Sequence, residues 1–216
     1  GARPGESAPL LNFASNDYLG LCRAPELVAA AQDPAARWGA GAAASRLVTG
    51  TLPVHTLLEN RLAALKGYPA ALLFGSGYMA NLGIIAAIAG RRDWVVADKL
   101  AHASILDAAM LSRAELRRFR HNDPGHLAAI LRERPAGTRC LVVTESVFSM
   151  EGDCAPLAEI AAACAGHDAM LMVDEAHATG VFGPGGAGLA AALNLNGAIN
   201  ISMGTLSKAL GSYGGF

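Results

Sequence analysis

One lysine, Lys208, stands in a stretch made mostly of small residues, Thr205-Leu-Ser-Lys-Ala-Leu-Gly-Ser-Tyr-Gly-Gly-Phe216. Small neighbours let a planar group approach the backbone closely. A lysine with little solvent and other cations nearby loses affinity for its proton and becomes a nucleophilic amine. That is the requirement for a Schiff-base lysine of pyridoxal phosphate (PLP); a surface lysine in a Gly-rich loop is the plain alternative. Other reactive types fall into short polar clusters. Gly75-Ser-Gly-Tyr-Met-Ala-Asn81 is a glycine turn opening a helix, whose free N–H groups and dipole suit a phosphate. His102 lies in Asp98-Lys-Leu-Ala-His-Ala-Ser104, and Glu145, Ser149, Glu151 and Asp153 share one further cluster. Asp174 and His177 share Asp174-Glu-Ala-His-Ala-Thr-Gly180. Asn16 and Asp17, in Ser15-Asn-Asp-Tyr-Leu-Gly-Leu21, are ordinary turn formers by themselves.

These clusters make one site only if the chain brings them to one edge. Strands are expected over 11–13, 70–74, 94–97, 115–120, 140–144, 170–173 and 198–203. Helices are expected over 25–32, 54–66 (Leu58, Leu62 and Leu65 on one face, Gly67 ending it), 78–89, 103–111, 125–133 and 156–165. Short apolar strands alternating with helices predict an α/β fold, a mainly parallel sheet with helices on both faces. Ligands then sit beyond the carboxyl ends of the strands, where the polar clusters fall. Residues 1–50 are expected as an N-terminal segment, with a loop of small residues over 39–51, and 51–216 as a large α/β domain.

Composition narrows the function classes. Of 216 residues, 52% are hydrophobic and 16% charged, against roughly 25% charged in an average domain. The low charge predicts a surface covered in part by a second subunit. A formal net charge of −1 gives no electrostatic case for nucleic acid or an anionic membrane. Four cysteines without a CxxC or metal-ligand spacing read as reduced, mostly buried thiols of a cytoplasmic protein, and no metal site is expected. No signal peptide or membrane-length apolar run is read.

Two motifs suggest rivals. Gly75-Ser-Gly-Tyr-Met-Ala80 fits G-x-G-x-x-A, and Asp98 follows about 20 residues on, as an NAD-dependent dehydrogenase would have it. That reading leaves Lys208, Asp174 and His177 without roles. Asp174-Glu-Ala-His177 spells the DEAH box of a helicase, but no G-x-x-x-x-G-K-[ST] precedes it.

Taken together and in order, the clusters resemble the α-oxoamine synthases, fold-type I PLP enzymes, with similarity running from Leu11 to Phe216. The resemblance implies that Lys208 links the cofactor and moves the Cα proton of an amino acid. It implies that Asp174 pairs with the pyridine nitrogen, and that His177 and Ser149 reach the phenolic oxygen. His102 would stack on the ring and touch substrate, Gly77, Tyr78 and Thr205 would hold the phosphate, and Asn16 would lie near the substrate carboxylate. Within the family, Ser45-Arg-Leu-Val-Thr-Gly-Thr51 and Arg117-Arg-Phe-Arg-His-Asn-Asp123 look most like the biotin-pathway member. That member condenses L-alanine with a pimeloyl thioester, carried on CoA or on a carrier protein, with loss of carbon dioxide. Glycine acetyltransferase, 5-aminolevulinate synthase and serine palmitoyltransferase are the sibling alternatives, and a non-catalytic partner subunit is a further one. The resemblance also implies a homodimer, an N-terminal helical segment and a C-terminal small domain.

Overall fold

The computed structural model describes residues 11–216. Among these residues, seven α-helices and five strands follow in chain order: α1 (Pro25–Trp38), α2 (Pro53–Lys66), α3 (Gly77–Ile88), β1 (Trp94–Asp98), α4 (Ala103–Ser112), β2 (Glu115–Phe119), α5 (Pro124–Arg132), β3 (Cys140–Glu145), α6 (Leu157–Gly166), β4 (Met170–Asp174), α7 (Leu189–Ala192) and β5 (Ile201–Met203). The strands form one parallel sheet in the order β2-β1-β3-β4-β5. Alternate residues of β1, β3 and β4 face opposite ways. Val95, Ala97, Leu141, Val143 and Met172 pack under α3 and α4, and Trp94, Val96, Val142, Leu171 and Val173 under α5 and α6. Burial on both faces is why these strands read as unbroken apolar runs. The expected helices on both faces are present. Edge strand β2 carries exposed Glu115, Arg117 and Arg118, charges that discourage pairing with another chain.

Several expected elements differ. Residues 11–13 form no strand, and Leu11 and Phe13 are exposed. Of 70–74 only Phe74 pairs, in an antiparallel bridge to Gly215, so this segment is no part of the parallel sheet. Its neighbour is a short stretch of chain that joins β5 through Thr205, and residues 70–73 meet no ladder there. β5 is shorter than expected because Asn196–Ala198 turns as a 3-10 helix before it. Helix α1 runs past Pro34 to Trp38. None of its residues is buried, so the carbonyl that Pro34 cannot serve meets water. Gly67 ends α2 with φ at 71°, a conformation that suits glycine. Two thiols, Cys140 and Cys164, are buried, but Cys22 and Cys154 are exposed, against the expectation of mostly buried cysteines.

The winding reverses at β1: the chain moves outward to β2, then returns to place β3 on the other side. Such a reversal opens a crevice at the carboxyl ends of the two diverging strands. His102 follows β1 and Glu145 ends β3, and the His102 N–H donates to Glu145 Oε1 at 2.7 Å across that gap.

Candidate functional site

Register sets Glu145 beside Asp174 at the ends of β3 and β4. Asp174 is 5% exposed. Its Oδ1 accepts the Ala176 N–H at 2.9 Å, and its Oδ2 accepts from Asn81 Nδ2 at 3.0 Å. Asn81, fully buried on α3, also donates from Nδ2 to Ser104 Oγ at 2.9 Å. The carboxylate needs a donor, so it fixes which way the amide points. Asn81 Oδ1 is left buried without a partner among the described residues. No cationic side chain pairs with Asp174 among them either. Burial, followed by repulsion from Asp174, pushes the Glu145 carboxyl up to about 8.

The loop after β5 delivers Lys208. Burial draws its ammonium below the usual lysine range, with Asp174 and Glu145 pulling the other way. Lys208 Nζ lies 2.7 Å from His177 Nε2. His177 is pushed down to about 4 by burial, then by the charge of Lys208 and by His102. A neutral imidazole thus stands against the amine.

Helix α3 begins at the same cavity. Ser76 Oγ caps it by accepting the Met79 N–H at 3.1 Å. The first-turn N–H groups of Gly77 and Tyr78 have no acceptor within the helix. A Cβ on Gly77 would lie 3.4 Å from Thr205 Cβ, an ordinary contact that places the start of α3 beside the loop after β5. Gly77, Tyr78, His102, Asp174, His177, Thr205 and Lys208 all line one cavity of about 210 Å³. His102 caps α4 at the rim, its Nδ1 accepting the Ser104 N–H at 3.2 Å. The Thr205 hydroxyl donates to the Gly214 carbonyl at 2.8 Å, so its proton is already committed.

Two expected site residues are not in this lining. Ser149 lies exposed in the turn after β3. Asn16 is exposed too, and connects to the cavity through Tyr18, whose hydroxyl donates to Asn16 Oδ1 at 3.2 Å and lies 2.7 Å from His177 Nδ1. Three residues at the site have no part assigned from the sequence: Asn81, Tyr18 and Glu145. A lone amide in the apolar run of α3 was a readable signal for Asn81. Nothing local marked Tyr18, which sits 159 residues from its partner.

The structure removes the parts that the rival motifs need. Asp98 is fully buried and spent on the chain itself. Its Oδ1 accepts from Leu100 N–H at 2.8 Å and bonds His121 Nδ1 at 2.9 Å, while Oδ2 accepts from Asn122 N–H at 3.0 Å. No carboxylate is left there for a ribose. Glu175 of the Asp-Glu-Ala-His run is equally committed, to Lys66, to Ser202 and to the Ala190 N–H. A hollow of about 880 Å³ lies by Asp93, Glu115 and Arg139 at the amino ends of the strands, away from these groups. Among the described residues no cluster of His, Cys, Asp and Glu is placed to hold a metal, and no helix is long and apolar enough to cross a membrane.

Comparison with known proteins agrees with this geometry. A profile of the family described as aminotransferase class I and II matches residues 8–216. The 8-amino-7-oxononanoate synthase of Anaeromyxobacter sp. (strain K) is 58% identical over 96% of this chain and 52% of its own length. That of Cellvibrio japonicus is 52% identical over 95% of the chain and 52% of its own. A serine palmitoyltransferase from S. paucimobilis, solved with PLP and myriocin bound, superposes with a TM-score of 0.90 at 41% identity, covering 93% of this chain and 50% of that one. The 8-amino-7-oxononanoate synthase of Francisella tularensis gives 0.77 at 31% identity, covering 95% and 57%. The chain spans about half the length of the curated relatives it matches.

Proposed function

The chain belongs to the aminotransferase class I and II family, and from that membership we propose that it carries the cofactor site of a PLP-dependent acyltransferase. The reaction joins L-alanine to a pimeloyl thioester with loss of carbon dioxide, giving 8-amino-7-oxononanoate for biotin biosynthesis. One observation carries the reading. Lys208, drawn below the usual lysine range, faces Asp174, a buried carboxylate without a cation among the described residues. Leaving a charge buried and unpaired is costly. A protonated pyridine nitrogen is the partner that this site lacks, and the free N–H groups of Gly77 and Tyr78 suit a phosphate. The residues present fit PLP on both counts.

When bound, PLP supplies a ring that withdraws the electron pair left on the amino acid Cα. Asp174 holds the proton on the ring nitrogen, and Asn81 holds Asp174 in place through the bond from Nδ2. Lys208 Nζ would hold the cofactor and, as a free amine, would take the Cα proton. His177, neutral and 2.7 Å away, orients that amine. His102, on the rim at the β1–β3 crevice, faces cofactor and substrate. Asn16 and Ser149 are read as reaching the substrate carboxylate and the phenolic oxygen; in the structure both lie outside the cavity lining. We further read residues 51–216 as the large PLP-binding domain and 1–50 as an N-terminal segment with an active-site loop.

Identity, and not fold similarity, favours the pimeloyl reaction over the serine palmitoyltransferase one. The sheet is common to both enzyme types, whereas 58% identity to a synthase of the first type exceeds 41% to the second. We read the protein as a cytoplasmic homodimer whose site lies at the subunit boundary. Leu47 and Val48, in the 39–51 loop, are 99% and 76% exposed and suit such a contact. The thiol carrier is CoA or a carrier protein. The test uses the whole protein that contains this chain. It is expected to show a visible band that borohydride bleaches while fixing the cofactor mass to a Lys208 peptide, and to prefer alanine with a pimeloyl donor. A colourless protein that binds NAD overturns the cofactor; preference for glycine with acetyl- or succinyl-CoA overturns the substrate.

A further inference from the structure

His102 is exposed at the cavity rim, yet the groups that anchor it are buried. Its backbone N–H donates to the buried Glu145. Its Nδ1 accepts the Ser104 N–H at 3.2 Å and lies 2.8 Å from Ser104 Oγ. Ser104 is 1% exposed, and the reaction above gives it no part.

Asp174 decides where the protons of this cluster lie. Its carboxylate accepts, so the 3.0 Å bond to Asn81 is given by Nδ2. Turning the amide round would set Oδ1 against the carboxylate. The second hydrogen of Nδ2 goes to Ser104 Oγ at 2.9 Å, which therefore accepts there. A hydroxyl has one proton to give, and His102 Nδ1 is the acceptor within its reach among the described residues. Nδ1 thus receives both the hydroxyl and the backbone N–H, and carries no proton of its own. An imidazole with a bare Nδ1 keeps its proton on Nε2. Asp174, Asn81, Ser104 and His102 form one chain of hydrogen bonds that runs from β4 through α3 to the start of α4.

We propose that Ser104 is a positioning residue, whose hydroxyl holds His102 in the Nε2–H form as a standing donor for an oxygen of the substrate. Its importance for turnover rests on the reading of His102 as the residue that touches substrate; the ring state itself does not. Because Ser104 is reached from Asp174 through Asn81, the carboxylate that faces the cofactor ring also fixes what His102 offers to the substrate. The donor is in place before substrate arrives, and no ring flip or proton exchange must precede binding.

Two measurements test this. Nitrogen NMR of the whole protein freed of cofactor, with the His102 signals identified by their loss in His102→Asn, should show a bare Nδ1 and a protonated Nε2. Ser104→Ala removes the hydroxyl donor and leaves the backbone one, so the His102 signals should move toward a mixture of both neutral forms. In the loaded enzyme, Ser104→Ala should raise the KM for the amino acid about three- to ten-fold, the range of one net hydrogen bond. The kcat, the cofactor affinity and the thermal midpoint should change little. A lowered midpoint with the ring signals unmoved would make Ser104 a packing residue and overturns the proposal. So does a protonated Nδ1 in the parent protein, a measurement that stands even if Ser104→Ala does not fold. Failure of the PLP reading would appear elsewhere, as a missing visible band with the His102 signals as expected.

Discussion

Burial acts on Lys208 and on Glu145 in opposite directions, drawing the ammonium down and lifting the carboxyl to about 8. Both changes favour the uncharged form, because the cavity solvates charge poorly. For Glu145 the sign follows from linkage. Its folded value stands above the ordinary 4.5, so the folded state keeps a proton that the unfolded chain releases. The resulting stability is complete below 4.5 and is lost as pH rises through about 8. Glu145→Gln should therefore flatten the fall in stability across that interval, which denaturant unfolding at its two ends would measure. Asp174 makes a different prediction. In Asp174→Asn the amide oxygen can still accept from Asn81 or Ala176, so the fold should hold and the visible band persist. Turnover should drop by roughly 10²–10⁴, the scale of a lost acid–base contribution, because a neutral amide cannot hold a ring nitrogen protonated.

Two groups of contacts decide how the elements sit around the cavity. His121, just past β2, bridges Asp98 at the end of β1 and Asp153 in the β3–α6 loop, at 2.9 and 3.0 Å. Its ring meets Phe148 edge-on at 4.5 Å. Burial lowers its proton affinity, but the bonds to Asp98 and Asp153 outweigh that and leave it raised above 6.5. A raised histidine stabilises fully below 6.5 and ceases to do so as pH passes its folded value. Amide protection at Phe148 and Gly152, corrected for intrinsic exchange, should therefore weaken as pH rises, and His121→Gln should abolish that dependence. The second group ties α2 to β5 and α7 through Lys66 and Glu175, 4% and 1% exposed, with Glu175 also bonded to Ser202 and Ala190. Lys66→Met strands the Glu175 carboxylate and should cost about 3–5 kcal/mol, read from the denaturant midpoint. Lys66→Met with Glu175→Leu should recover much of it.

For the whole molecule, the low charge and the exposed Leu47 and Val48 point to a covered face. On the homodimer proposed above, replacing both with aspartate should shift the whole protein toward monomer in sedimentation and lower activity, while leaving the sheet intact by circular dichroism. A dimer that persists would move the interface elsewhere on the molecule.

Much of this was legible along the chain. Apolar runs such as Trp94–Ala97 and Cys140–Thr144 are local signals, and burial on both faces explains why they show no alternation. The glycine turn before α3 and the lysine among small residues are equally local, since their chemistry depends on immediate neighbours. Other features needed the tertiary structure because they rest on pairs distant in sequence. The segment 70–74 has strand composition, but a strand needs a partner, and only Phe74 finds one, at Gly215. Asn81 meets Asp174 across 93 residues and Tyr18 meets His177 across 159, in contacts that no spacing announces. The lysine proposed to link the cofactor is marked by its own loop. Its affinity for a proton is set by what the fold brings around it: burial, which lowers it, and then Asp174 and Glu145 from adjoining strand ends, which pull the other way.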